Sequence, residues 1–260
     1  MTVALLGFPD ASSSHARGPA LRRPSSARCS SARRQRPTVL AALTCAEVIT
    51  AQEFAVLPED AAKARAEIEA RVTAALEGGR RPLSLGGDHS VTFPILRAIA
   101  AHYGPVNVLH IDAHPDLYED YEGDRYSHAS PFARALEEGL IANLVQVGIR
   151  SSSPEQVALS QKHGGVMLGA DEVDAIPYEK LEGPLYVSVD LDGLDPAFAP
   201  GVSHPEAGGL STREVLAIIK RLPAAPVGAD VVELNPERDI NLLTAHVAAR
   251  LIKELAAAMA

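Results

Sequence analysis

Short apolar runs rich in Val, Ile and Leu recur along the chain and alternate with stretches of helical character, which limits the possible folds to few. The runs are Val3–Leu6, Pro82–Leu85, Val106–Ile111, Leu144–Val147, Leu185–Leu191 and Val227–Val232. Continuous apolar character, rather than every second residue, belongs to strands covered on both faces, and such strands are parallel. Between the runs, Ala61–Glu77 is rich in the good helix formers Ala, Glu and Arg. Val91–His102 follows Ser90, which suits an N-cap. Ser211–Arg221 opens with Ser-Thr-Arg-Glu, a capping box with Ser211 at the N-cap and Glu214 three residues on. Thr244–Ala258 reads as a final amphipathic helix. This order predicts an α/β fold with a mostly parallel sheet covered by helices on both faces. Right-handed crossovers then bring all strand C-termini to one edge, where sheets of this kind carry their sites. At 260 residues, one α/β domain over residues 1–260 suffices.

Composition removes several function classes. A formal net charge of −9 argues against a nucleic-acid partner, which needs a basic face. No run of 18 apolar residues occurs, so no membrane span is expected. The chain opens on a strand-like stretch, Thr2–Gly7, rather than a signal peptide, and its two cysteines, Cys29 and Cys45, are no disulfide framework. Both observations suit a reducing cytoplasm. One segment departs from the pattern: Arg17–Arg36 holds seven arginines and no acid, and residues 17–45 are irregular as a whole. A solvated surface loop and a local reading-frame error in the source sequence both account for it, and resequencing the DNA separates them.

Chemistry concentrates at three strand ends. Asp112-Ala113-His114-Pro115-Asp116 follows the run Val106–Ile111. Strand alternation puts Asp112 and His114 on one face, with Asp116 just past the strand. Burying two carboxylates without a cation costs several kcal/mol, and a metal ion removes that cost. Asp190-Leu191-Asp192 ends the run from Leu185 in the same way, although an isolated acidic pair is a common capping turn. Leu85-Gly86-Gly87-Asp88-His89-Ser90 gives a strand, a glycine turn and a helix start. Its spacing matches neither phosphate-loop glycine pattern, which leaves His89 as a candidate ligand at the same edge. The set is His89, Asp112, His114, Asp116, Asp190 and Asp192. Six ligands are too many for one tetrahedral zinc and suit a metal pair about 3.5–4 Å apart. An oxygen-rich, sulfur-free set favours two Mn²⁺ ions, with Co²⁺, Fe²⁺ or Ni²⁺ as alternatives. A water shared by two such ions is largely hydroxide near neutral pH.

Gly-Gly-Asp-His-Ser, Asp-Ala-His-x-Asp and Ser-Val-Asp-Leu-Asp-Gly-Leu-Asp-Pro, with Gly208-Gly209-Leu210-Ser211 downstream, resemble the ureohydrolase family of arginases, agmatinases, guanidinobutyrases and formimidoylglutamases. The similarity covers roughly residues 80–260. It implies a three-layer αβα fold with about eight strands, and hydrolysis of a small guanidino compound to urea and an amine. It also implies a homo-oligomer, trimer or hexamer. One metal would take His89, Asp112, Asp116 and Asp190, and the other Asp112, His114, Asp190 and Asp192. His128 stands where the family has a proton-shuttle histidine, although Ala129 follows it in place of the usual Gly. Glu233 matches the glutamate that grips the guanidinium. In the mechanism these residues suggest, Asp116 holds the hydroxide and relays a proton to the departing amine. No His-His pair occurs, against a single-zinc deacetylase arrangement, and no basic clamp suggests a phosphatase.

The substrate is read from the loop after the first motif. Tyr118 replaces the Asn of animal-type arginases, as in agmatinase-like members. Glu119, Asp120, Glu122 and Asp124 would attract an ammonium group and repel a carboxylate. Charge therefore favours agmatine, giving putrescine. Against this, Glu122–Ser130 and Asp195–Glu206 resemble plant-type arginases, so arginine is the alternative; a catalytically impaired family member is the third reading.

Overall fold

The computed structural model describes residues 2–8, 49–55 and 57–260. Eight strands form one sheet: β1 (Thr2–Phe8), β2 (Ile49–Phe54), β3 (Arg80–Gly86), β4 (Val106–Ile111), β5 (Ile141–Val147), β6 (Val166–Leu168), β7 (Leu185–Asp190) and β8 (Gly228–Val232). Their order is β2-β1-β3-β8-β7-β4-β5-β6, and every pairing is parallel. The chain builds β1, β2 and β3, then jumps to β4. The late strands β7 and β8 fill the gap between β3 and β4. The strand order switches there, which is where open α/β sheets form a crevice.

Among the described residues the α-helices are α1 (Ala61–Glu77), α2 (Thr92–Tyr103), α3 (Pro131–Glu137), α4 (Pro154–Lys162), α5 (Thr212–Lys220) and α6 (Leu243–Met259). One core packs Ile68 and Val72 of α1, Ile95, Leu96 and Ile99 of α2 and Phe132 of α3 against Val106, Val108 and Tyr186. The opposite core packs Val215 and Ile219 of α5 and Leu251 and Leu255 of α6 against Leu109, Ile111, Val187 and Val231. Alternate residues of one strand thus enter different cores, and every residue of β4, β7 and β8 is buried. The apolar runs are continuous because both faces are covered.

Two local expectations change. Ser90 does not cap a helix from Val91. Asp88 caps a short 3₁₀ turn, His89–Val91, by accepting from the Ser90 amide at 3.1 Å, and α2 begins only at Thr92. The second is that β4 stops at Ile111, before the first acidic motif, so strand alternation cannot be what brings Asp112 and His114 together. The capping box at Ser211 forms with both of its hydrogen bonds. The arginine-rich segment 17–36, with Cys29, and the remainder of 17–45, with Cys45, lie outside the described residues.

Candidate metal centre

Side-chain-to-backbone turns at the strand ends assemble the cluster. Past β4, Asp112 Oδ1 accepts from the His114 amide at 2.6 Å, which folds the chain back so that His114 Nδ1 lies 3.5 Å from the same oxygen. At the end of β7, Asp190 Oδ1 accepts from the Asp192 amide at 2.8 Å. The two turns are tied where the Ala113 amide donates to Asp192 Oδ1 at 3.2 Å. Asp116 and Glu233 have positive φ angles, 51° and 66°. Such angles are uncommon for residues other than glycine and cluster at functional sites.

His89 is the hub of the cluster. Its Nδ1 lies 2.9 Å from Asp116 Oδ2, 3.1 Å from Asp190 Oδ2 and 3.2 Å from Asp112 Oδ2, yet it has no aligned hydrogen-bond partner. His114 Nδ1 lies 3.2 Å from Asp192 Oδ2. All six predicted ligands therefore converge. Asp112, Asp116, Asp190, Asp192 and His89 are buried, and His114 is part-buried.

The protonation of His89 follows from its other side. Asp230, fully buried, accepts from Thr92 Oγ1 at 2.6 Å, Tyr186 OH at 2.5 Å and Ser188 Oγ at 2.6 Å. Ser188 has one hydroxyl proton and gives it to Asp230, so it accepts from His89 Nε2 at 2.9 Å. The Nδ1 lone pair of neutral His89 is then aimed at three carboxylates, an arrangement that needs a positive charge between them. A proton supplies it in metal-free protein, and a metal ion fits the same place.

Protonation tendencies agree with this. Burial opposes the charged form of His89, but Asp112, Asp116 and Asp190 outweigh it and hold its pKa well above the usual value. Burial likewise opposes His114⁺, and Asp112 and Asp192 push its pKa up to about 12. Burial and then Asp112 raise Asp192 to about 7. Asp190 is raised well above the carboxylate range by burial, Asp192 and Asp112. Glu233 is raised by burial and then by Asp88 and Asp192, and its Oε1 accepts from the His89 amide at 2.9 Å. Negative charge exceeds what the protein neutralises, and the donor set is imidazole nitrogen and carboxylate oxygen, which suits hard to borderline divalent ions.

The cluster forms the floor of a cavity of about 300 Å³, with Glu233 beside it. Tyr118, Tyr121, His128, Ser151, Ser152, Ser153 and His204 make up its wall. His128 stacks on His204, with centroids 5.3 Å apart and planes 6° from parallel, and its buried Nδ1 has no hydrogen-bond partner. The acidic loop faces elsewhere: Glu119, Asp120, Glu122 and Asp124 are exposed and do not line the cavity. Asp120 and Asp124 accept from the amides of Gly123 and Tyr126 at 2.7 and 2.8 Å, within their own turn.

Reasoning from the sequence missed His204, Ser151–Ser153 and a polar row beneath the cluster. In strand register, Ser84 of β3 pairs with Asp230 of β8, Asp230 with Ser188 of β7, Ser188 with His110 of β4, and His110 with Gln146 of β5. All five are fully buried. Polar residues inside runs that should be wholly apolar were the available signal. His110 also brings a ring nitrogen within 4.8 Å of ligand atoms of His89 and Asp112.

Comparison with known proteins places this geometry. The Arginase family model matches residues 1–258. Arginase 1, mitochondrial, of Arabidopsis thaliana is 50% identical over 191 residues, which are 68% of this chain and 54% of that protein. The mitochondrial agmatinase of Gallus gallus is 39% identical over 188 residues, 67% of this chain and 55% of that protein. This chain thus spans little more than half the length of these curated relatives. The solved arginase from Medicago truncatula superposes with a TM-score of 0.87 at 40% identity, covering 99% of this chain and 87% of that one. A match along almost the whole chain, with the three strand-end motifs meeting in space, establishes that the chain belongs to the Arginase family.

Proposed function

We propose that this protein is a two-metal hydrolase that cleaves the guanidinium group of L-arginine to urea and ornithine, with Mn²⁺ as the metal. The observation that carries the hydrolase reading is the convergence of two imidazoles and four carboxylates, with His89, His114, Asp116, Asp190 and Asp192 lining one cavity and Asp112 buried against them. His89, Asp112, Asp116 and Asp190 would hold one ion, and Asp112, His114, Asp190 and Asp192 the other. Ions held there would supply a hydroxide nucleophile at neutral pH and offset the charge that develops at the guanidino carbon. Glu233 holds the planar guanidinium by its carboxylate. Asp116, at the inner end of the cavity, hydrogen-bonds the attacking oxygen and passes its proton to the departing amine. His128, part-buried on the wall, exchanges protons with solvent, and Tyr118 and Tyr121 shape the channel around the aliphatic chain.

Arginine is preferred to agmatine because of the wall. Agmatine carries only positive charge and would gain from carboxylates lining the cavity wall, but the four acids of the loop are exposed and do not line it. Ser151, Ser152 and the N-terminus of α4 suit the carboxylate of arginine. Likeness to the plant arginases supports the same choice. The test is urea release from L-arginine, agmatine and 4-guanidinobutyrate by Mn²⁺-loaded protein. The expected result is a kcat/KM at least tenfold higher for arginine, about 1.4 kcal/mol of discrimination, and loss of both Mn²⁺ and urea release in Asp192→Ala. Preference for agmatine would overturn the substrate, and full activity of Asp192→Ala the site.

A further inference from the structure

The polar row beneath the cluster ends in an arrangement whose protons can be placed one by one. It begins at an atom that can only accept, the carbonyl oxygen of Pro115. Gln146 Nε2 lies 2.7 Å from it, so the amide nitrogen must face this carbonyl; the flipped amide would oppose two oxygens. The same Nε2 lies 2.9 Å from His110 Nδ1, and its second proton points there. Nδ1 is therefore an acceptor, and the ring carries its proton on Nε2. That nitrogen lies 2.7 Å from Asp112 Oδ2, to which it donates. The other oxygen of Asp112 takes the His114 amide. Both oxygens of the carboxylate at the centre of the cluster are thus held by donors of fixed direction. The imidazole is itself immobilised, fully buried and packed on Phe132 with centroids 4.1 Å apart.

We infer that His110, oriented by Gln146, is a positioning residue that locks Asp112 for joint coordination of both ions and is not itself a ligand. This rests on the metal reading above. Asp112 is the carboxylate within reach of both His89 Nδ1 and His114 Nδ1, so its orientation governs both halves of the site. A hydrogen bond to a coordinating carboxylate commonly accounts for 10- to 100-fold in metal affinity. The competing role, ligation through His110 Nε2, requires a proton on Nδ1 and hence an acceptor at residue 146. The amide donor supplied by Gln146 does not suit it.

Three variants of the full chain separate these roles, with Mn²⁺ affinity as the readout: free ion is counted by its electron paramagnetic resonance signal during titration of metal-free protein. His110→Phe keeps a planar ring and removes the donor; both dissociation constants are expected to rise about 10- to 100-fold. His110→Gln returns an amide donor near the position of Nε2 and is expected to recover binding to within a few-fold of wild type. Gln146→Glu puts an acceptor against Nδ1 and Pro115, and is expected to weaken binding about tenfold or more. If His110 were a ligand, a carboxylate at position 146 accepting from Nδ1 would strengthen the metal bond, so unchanged or tighter binding in Gln146→Glu overturns the inference. Unchanged affinity in His110→Phe overturns it equally, while wild-type uptake of two ions would leave the metal reading standing. Should His110→Phe not fold, the contrast between His110→Gln and Gln146→Glu decides. Melting of the metal-free forms separates loss of fold from loss of affinity, because a merely structural role would lower the melting temperature without changing the dissociation constants of the folded protein.

Discussion

Asp112 sits between two glycines. A Cβ on Gly193 would lie 2.8 Å from the Asp112 amide nitrogen and 2.9 Å from its Cα; one on Gly148, where φ is +93°, would lie 2.9 Å from the Asp112 carbonyl oxygen. These contacts are with backbone, which cannot swing aside as a side chain can. Gly193→Ala is therefore expected to push Asp112 out of place, costing about 1–3 kcal/mol of stability and weakening Mn²⁺ binding although no ligand is replaced. Calorimetric titration beside a melting curve checks this, and wild-type affinity in Gly193→Ala would show that the turn tolerates the methyl group. That His89, Asp112, His114, Asp116, Asp190 and Asp192 would gather in space was legible in the sequence, because carboxylates and imidazoles at three buried strand ends are costly without a cation to hold them. The expected cause of one pairing was not correct: Asp112 and His114 meet through an Asx-type turn and not through strand alternation. His110, Gln146, Ser188 and Asp230 were not legible, because one polar residue inside an apolar run gains meaning only when register sets it beside the next.

The loops that carry these residues are joined by one side chain. Arg150, just past β5, donates to the carbonyls of Gly148, Asp192, Gly193, Leu194 and Glu206. It ties the turn after β5, the turn after β7 and the segment leading to α5 into one rim. A lysine ammonium has three donors on a single atom and cannot span five carbonyls as the planar guanidinium does. Arg150→Lys is expected to cost about 2 kcal/mol through carbonyls left unpaired, lowering the melting temperature by roughly 4–8 °C for a chain of this size. A change below about 1 °C in differential scanning calorimetry would mean that water replaces the guanidinium without cost. At this scale the long elements were readable and the short ones were not. α1 and β4 fall at their expected limits, whereas β6 is three half-buried residues and α3 is seven residues buried nearly all round, with no amphipathic period to detect. α4 did carry a signal: Ser153 before Pro154, with Gln156 completing a capping box. β2 was missed because Ile49–Phe54 mixes Gln, Glu and Thr with its apolar residues.

Across the whole molecule, the cluster couples folding to protons and, with the ions proposed above, to metal, and the sign of that coupling can be worked out. Without metal, folded Asp192 keeps a proton up to about pH 7 that an unfolded aspartate releases near 3.8. Folded His114 keeps one up to about 12 that an unfolded histidine releases near 6.5. In both windows the folded state binds more protons than the unfolded chain, so these groups lose stability as pH rises: Asp192 between 3.8 and about 7, His114 from 6.5 upward. Bound ions cancel this loss, since coordination keeps both groups deprotonated in the folded state, as they already are in the unfolded chain within these windows, and each proton removed by alkali favours the metal. Metal also stabilises the fold by mass action, about 2.7 kcal/mol at a free concentration one hundred times the dissociation constant. Melting temperatures recorded with chelator and with a fixed Mn²⁺ concentration from pH 5.5 to 8 each contain every other titrating group of the chain. Their difference cancels the groups remote from the site and keeps those that exchange protons for metal. That difference is expected to widen steadily with pH while the chelated protein alone grows less stable from these groups. A gap that stays flat or narrows toward pH 8 would mean that these side chains give up no protons to the ion and that the metal lies elsewhere.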